Sequence, residues 1–173
     1  MEILTQRLQM HPMRPEEWRD ILSIFEDFSA SPAAAYDYPL PTSEEKVRQQ
    51  VRIWSESGFF YSVCLRDHSR VIGYLCFPAE ENREDERELG YLFHRQWHGK
   101  GYAQEAAAAM ILQLQRQYGI SRFTARLALE NEASRRLAER LGFVQVGEES
   151  RVFHKNPDGS GKVERCGIFE RKV

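Results

Sequence analysis

A chain of 173 residues, 42% hydrophobic and 29% charged, is long enough to enclose one sizeable core and too apolar to stay disordered, so a single domain over residues 1–173 is expected. Its formal net charge of -2 supplies no basic field, which argues against nucleic acid as the main partner. No apolar run nears the roughly 20 residues that span a bilayer, and Glu2, Gln6 and Arg7 stand where a signal peptide needs an apolar stretch, so a cytoplasmic protein without membrane contact is expected.

The opening Ile3 to Met10 partly alternates and predicts a strand stopped by His11-Pro12. From Pro15 to Phe28 the apolar Trp18, Ile21, Leu22 and Phe25 recur at helical spacing. Pro32, Pro39 and Pro41 make Ser31 to Thr42 a loop, with Tyr36 and Tyr38 available in it. Ser43 caps a second helix, whose apolar side is Val47, Val51 and Trp54 and which Gly58 ends. Phe59 to Arg66 and Val71 to Phe77 form a hairpin across the turn-like Asp67-His68-Ser69-Arg70. Glu80 to Glu88 reads as an acidic linker.

Leu89 to His94 alternates as a strand and runs into Trp97-His98-Gly99-Lys100-Gly101. A long helix follows, with Ala103, Ala107, Met110, Leu114 and Tyr118 on one side and Gly119 as its stop. Ser121 to Leu129 is a further strand; Asn131 caps a short helix that turns Leu137, Ala138 and Leu141 inward before Gly142. Two extended arms, from Phe143 and to about Arg171, meet at the turn Asn156 to Gly161. Interleaved helices and strands predict an α/β (α+β) domain with a mixed sheet and about four helices.

Cys64, Cys76 and Cys166 are too few and too scattered for a disulfide framework and read as buried thiols. His94 and His98 are four apart, but Arg95-Gln96-Trp97 between them looks like a strand exit rather than a helix, so no metal site is expected.

The chemistry concentrates where the strand meets the long helix. Residues Gly99-Lys100-Gly101-Tyr102-Ala103 resemble an anion cradle, because first-turn amides have no partner in their helix and two glycines leave the backbone approachable. Taken alone, the loop equally suits a tight turn with no ligand. The second stretch, Asn131 to Phe143 with its Asn131-x-x-Ser134, follows another strand. Together the two resemble the GNAT superfamily of N-acetyltransferases; His98 stands where that family's loop has Gln or Arg. With Thr5 to Met10, Glu88-Leu89-Gly90-Tyr91 and Trp97 to Ala106, the likeness spans nearly the whole chain and is nearest the branch of ribosomal-protein N-terminal (alanine/serine) acetyltransferases. Neither Gly-x-Gly-x-x-Gly nor Gly-Lys-Ser/Thr is present, which disfavours a nucleotide loop.

The resemblance implies a twisted mixed sheet whose central parallel strands splay apart around acetyl-CoA. It places the cofactor against Leu92, Phe93, His94, His98, Gly99, Lys100, Gly101, Tyr102, Ala103, Asn131 and Ser134, and it requires no metal. The acetyl group would pass to a primary amine, a protein N-terminus or a small molecule, by direct attack in a ternary complex. Glu88 is the expected base or the mere end of the linker; Ser134 is the expected proton donor or a cap and cofactor contact. The acidic run Glu80, Glu81, Glu84, Asp85, Glu86 and Glu88 is a solvated loop or a lure for a cationic acceptor, with Tyr36 and Tyr38 in the acceptor's wall. The rival function is a non-catalytic acyl-CoA-binding or sensor module of the same fold; either a monomer or a homodimer fits.

Overall fold

The opening segment forms two strands rather than one: β1 (Ile3–Leu4) turns back through Thr5 to Arg7 and pairs antiparallel with β2 (Leu8–Pro12). Contrary to expectation, β2 continues through His11-Pro12, which face Ser62 and Tyr61 of β3 (Phe60–Leu65). β1 covers β2 only at Gln9 and Met10, so the missing proline N–H falls on an edge where no ladder bond is needed. The chain is seen here as a computed structural model that describes residues 2–68, 70–80 and 83–173.

Helix α1 (Trp18–Ser29) buries Trp18, Ile21, Ile24 and Phe25, and α2 (Glu44–Ser57) buries Val47 and Val51. They share one apolar cluster with Val71 and Tyr74 of β4 (Val71–Cys76), the second strand of the expected hairpin. Ser69 in the hairpin's turn lies outside the described residues. The proline-rich loop contains one short 3-10 stretch, Pro32–Tyr36.

The expected acidic linker is instead two strands, β5 (Ala79–Glu80) and β6 (Arg83–Glu88). The interleaved arginines make this possible. Glu86 is buried because Arg83 (2.8 Å) and Arg122 (3.2 Å) neutralise it. Glu81, part of the same acidic run, lies outside the described residues, as does Asn82.

After Leu89 the chain continues as β7 (Gly90–Phe93), α3 (Tyr102–Tyr118), β8 (Arg122–Ala128), α4 (Glu132–Arg140), β9 (Val144–Lys155) and β10 (Gly161–Lys172). The strands form two five-stranded sheets, ordered β1-β2-β3-β4-β7 and β5-β6-β8-β10-β9. β6 runs parallel to β8 as far as Glu88↔Thr124 and then leaves it, whereas two residues on Gly90 pairs with Cys76 of β4. This crossing opens a wedge between β7 and β8, the splayed parallel pair the sequence leads one to expect.

Helix α3 lies across the junction and buries Ala106, Ala107, Met110, Ile111 and Leu114, while Tyr118 of its expected inner face is exposed. Beneath it Phe77 and Phe123 meet edge to face at 6.0 Å, both fully buried. Phe123→Ala should leave a cavity and destabilise the protein by about 3–5 kcal/mol, read as a lower midpoint in urea.

Candidate active site

The glycine loop connects β7 to α3 with two left-handed residues, Gly99 (φ 73°) and Gly101 (φ 78°). A Cβ at Gly99 would project into open space, so glycine is required there by backbone conformation rather than by crowding. The first amide of this region that finds an acceptor is that of Glu105, on the Gly101 carbonyl at 3.0 Å. Among the described residues the amides of 99–104 make no well-formed hydrogen bond, although the turn at 98–99 points the Lys100 amide back along the chain. Six consecutive donors at the positive end of a 17-residue helix fit a diphosphate.

The side chains around the loop hold it rather than point into it. His98 Nε2 lies 2.7 Å from the Phe93 carbonyl, which makes it a donor to the backbone instead of a reaching cation. Lys100 places its Nζ over the Trp97 ring at 4.7 Å. Before the loop, Asp27 takes both the amide (2.8 Å) and the Nε (2.9 Å) of Arg95. His94 faces the same aspartate at 3.9 Å.

β7 is the last strand of its sheet, so among the described residues no strand pairs with its edge towards β8. Alternation decides which groups line that edge. The Leu89 amide points at Thr124 of β8 (2.8 Å) and the His94 amide at Ile72 of β4 (3.1 Å), so Tyr91 and Phe93 face the wedge. Of the strand positions expected against the cofactor, Phe93 turns its backbone groups to the wedge, as does Tyr91, while Leu92 and His94 turn theirs towards β4.

Glu88 stands at the mouth of the wedge, where β6 and β8 part. Its Oε2 is 2.8 Å from Arg126 Nη1, and the same nitrogen is 2.6 Å from Glu80 Oε1. One guanidinium thus serves two carboxylates whose surroundings separate them. Burial raises the Glu88 carboxyl above the ordinary range, against the pull of Arg126, whereas the Arg126 hydrogen bond holds Glu80 below it. Cys76, half-buried rather than buried as expected, shares this spot: a Cβ at Gly90 would stand 2.6 Å from its Sγ. Burial, with Glu88 beside it, pushes the Cys76 thiol up to about 12, so it is not a nucleophile.

On α4, Asn131 Oδ1 accepts the Ser134 amide at 3.2 Å, the expected cap. The Tyr91 hydroxyl spans the wedge to the Ser134 carbonyl at 3.4 Å, and burial raises it to about 12. Tyr36 and Tyr38 lie on the loop strapped over β9, where His154 Nε2 meets Ala34 O at 2.8 Å and Tyr38 packs edge to face on Phe153 at 5.0 Å. Between the two tyrosines, burial raises the carboxyl of Asp37, with Arg151 and His154 opposing.

Sequence reasoning missed Arg126, Tyr91 as a side chain, and Asp37. The available signal for Arg126 was a lone arginine inside the β-rich run Arg122–Ala128, where burial demands an acidic partner. No such signal marks Asp37.

The chain matches the acetyltransferase (GNAT) domain family over residues 7–144 and belongs to that family. An uncharacterized N-acetyltransferase of Bacillus subtilis, YnaD, is 27% identical over 148 residues, covering 85% of each chain. Among solved structures, a GNAT-family acetyltransferase from Bacillus anthracis superposes with a TM-score of 0.83 at 23% identity, covering 99% of this chain and 98% of that one. RimL, a ribosomal-protein α-N-acetyltransferase solved in complex with coenzyme A, superposes with a TM-score of 0.82 at 19% identity, covering 100% and 98%. Acetyl transfer is thus the general activity of the class to which this chain belongs.

Proposed function

We propose that the whole chain acts as one N-acetyltransferase domain that takes acetyl-CoA as donor and a primary amine as acceptor, either a protein N-terminus or a small molecule. The observation that carries this reading is the unpartnered amide run of residues 99–104 beside the edge of β7 that no described strand pairs with, opening on the wedge at Glu88. Acetyl-CoA would supply the acetyl group as a thioester. The amides of 99–104 hold its diphosphate, and the backbone groups of Tyr91 with the amide of Phe93, whose carbonyl is taken by His98, match an amide-bearing arm, as an added strand would.

The acceptor must arrive with a lone pair, and an alkylammonium of ordinary pKa about 10.4 has none. Glu88 is the base: burial makes it a better proton acceptor than a surface carboxylate, and Arg126 keeps it oriented. The departing thiolate, with an ordinary pKa of about 8.5, is met by a hydroxyl on the opposite wall. Tyr91, whose hydroxyl reaches the main-chain carbonyl of Ser134, stands beside the Ser134 hydroxyl as a second donor on that wall. Asp37, between Tyr36 and Tyr38, offers the incoming amine a carboxylate in the acceptor's wall.

Following thiol release from acetyl-CoA across a panel of amines and N-terminal peptides tests the reading. An amine that accelerates release at least tenfold over buffer is the expected result. Slow hydrolysis that no amine stimulates would favour the non-catalytic acyl-CoA-binding module instead.

A further inference from the structure

The glycine loop is held by its own side chains at His98, on the Phe93 carbonyl, and at Lys100, over Trp97. Two residues in left-handed conformation and an unpartnered amide run are costly to order, and something outside the loop must meet that cost. The turn between β1 and β2 does so. Arg7 Nη1 donates to the Lys100 carbonyl at 2.9 Å, inside the loop itself. Its Nε (2.7 Å) and Nη2 (2.6 Å) both reach Glu105 Oε2 in the first turn of α3. Its guanidinium also lies 4.6 Å from the Tyr102 ring centroid. The Arg7 amide (3.1 Å) and the Thr5 hydroxyl (2.6 Å) occupy the other oxygen, Glu105 Oε1. Thr5 is itself locked to Leu8 within the turn.

Electrostatics gives the bracket a second task. Glu105 sits in the same helical turn as the proposed diphosphate site, and a bare carboxylate there would repel an anion. Burial of Glu105 raises its carboxyl, but the hydrogen bonds from Thr5 and Arg7 outweigh this and hold it charged. A cation must therefore accompany it, and among the described residues Arg7 is the one in contact.

We infer that Arg7 is a positioning residue for the diphosphate site: it fixes the loop through the Lys100 carbonyl and neutralises Glu105, which would otherwise repel the ligand. This rests on the reading of residues 99–104 as that site. The bracket joins residues 98 apart in sequence, the β1–β2 turn and the first turn of α3.

The experiment is calorimetric titration of the full chain with acetyl-CoA and with S-acetylpantetheine, which keeps the thioester arm but has no diphosphate. Wild-type protein should prefer acetyl-CoA strongly. Arg7→Gln should weaken acetyl-CoA binding by about tenfold to a hundredfold, as expected for losing several charge-assisted hydrogen bonds, and leave S-acetylpantetheine unaffected. Glu105→Gln alone should also weaken acetyl-CoA by freeing Arg7. Adding Glu105→Gln to Arg7→Gln should recover part of the loss, because the repelling charge is gone. Equal loss for both probes would mean a general distortion of the fold and overturn the inference, as would unchanged affinity in Arg7→Gln. Tighter acetyl-CoA binding by Glu105→Gln would mean that Arg7 touches the phosphate directly, which overturns the positioning role. Wild-type protein with no preference between the probes would instead remove the diphosphate site itself, and the inference with it.

Discussion

Gly101→Val should abolish acetyl-CoA binding in calorimetry, a loss of a hundredfold or more, while the domain stays folded. Gly101 is the N-cap of α3 at φ 78°, a conformation a β-branched residue adopts only with strain of order 1–3 kcal/mol. Relief comes by rotating the loop, and rotation turns the amides of 99–104 away from their common focus. A Cβ at this position would stand at an ordinary contact distance, 3.5 Å, from Arg7 Nη2, so the strain comes from φ rather than from crowding. The main core lies under α3 at Ala106, Ala107 and Met110, beyond the first turn, so a cooperative melt should persist a few degrees lower. Normal affinity in a folded variant would remove the phosphate site from this account.

How far the sequence could be read depends on the distance over which each feature is decided. The long helix and the left-handed glycines are local, settled by spacing of three and four and by φ, and α3 begins at Tyr102 as the pattern predicts. The acidic stretch 80–88 failed as a linker because what makes it strand is not local. Glu86 is buried between Arg83 and Arg122, and Glu80 is paired with Arg126; Arg122 and Arg126 both lie on a strand more than thirty residues later. The same holds for Tyr91. Its place in the motif is visible in the sequence, but its nearness to Ser134 appears only once β7 and β8 part and α4 closes the wedge. Backbone parity could have been reasoned further: had the paired edge of β7 been known, alternation alone would have selected Tyr91 and Phe93 over Leu92 and His94.

Glu88→Gln should lower kcat by about 10² to 10⁴ and leave acetyl-CoA affinity within about twofold, since the carboxylate serves the acceptor and not the donor's phosphates. Gln is nearly isosteric and can still accept from Arg126 Nη1, so geometry is retained while the proton acceptor is lost. The pH profile separates this from a structural effect. A base works only when deprotonated, so kcat/KM must fall as pH drops through the Glu88 pKa, which burial places above the ordinary carboxylate range. Arg126 opposes that rise by favouring the charged form. Arg126→Met should then shift the acid limb to higher pH, because burial and the Glu80 charge would act without their counterweight. An acid limb that stays in place in Arg126→Met, or equal losses of kcat and donor affinity in Glu88→Gln, would count against Glu88 as the base. The first result would point to another carboxylate as the base, and the proposed acceptor wall offers Asp37, also raised by burial.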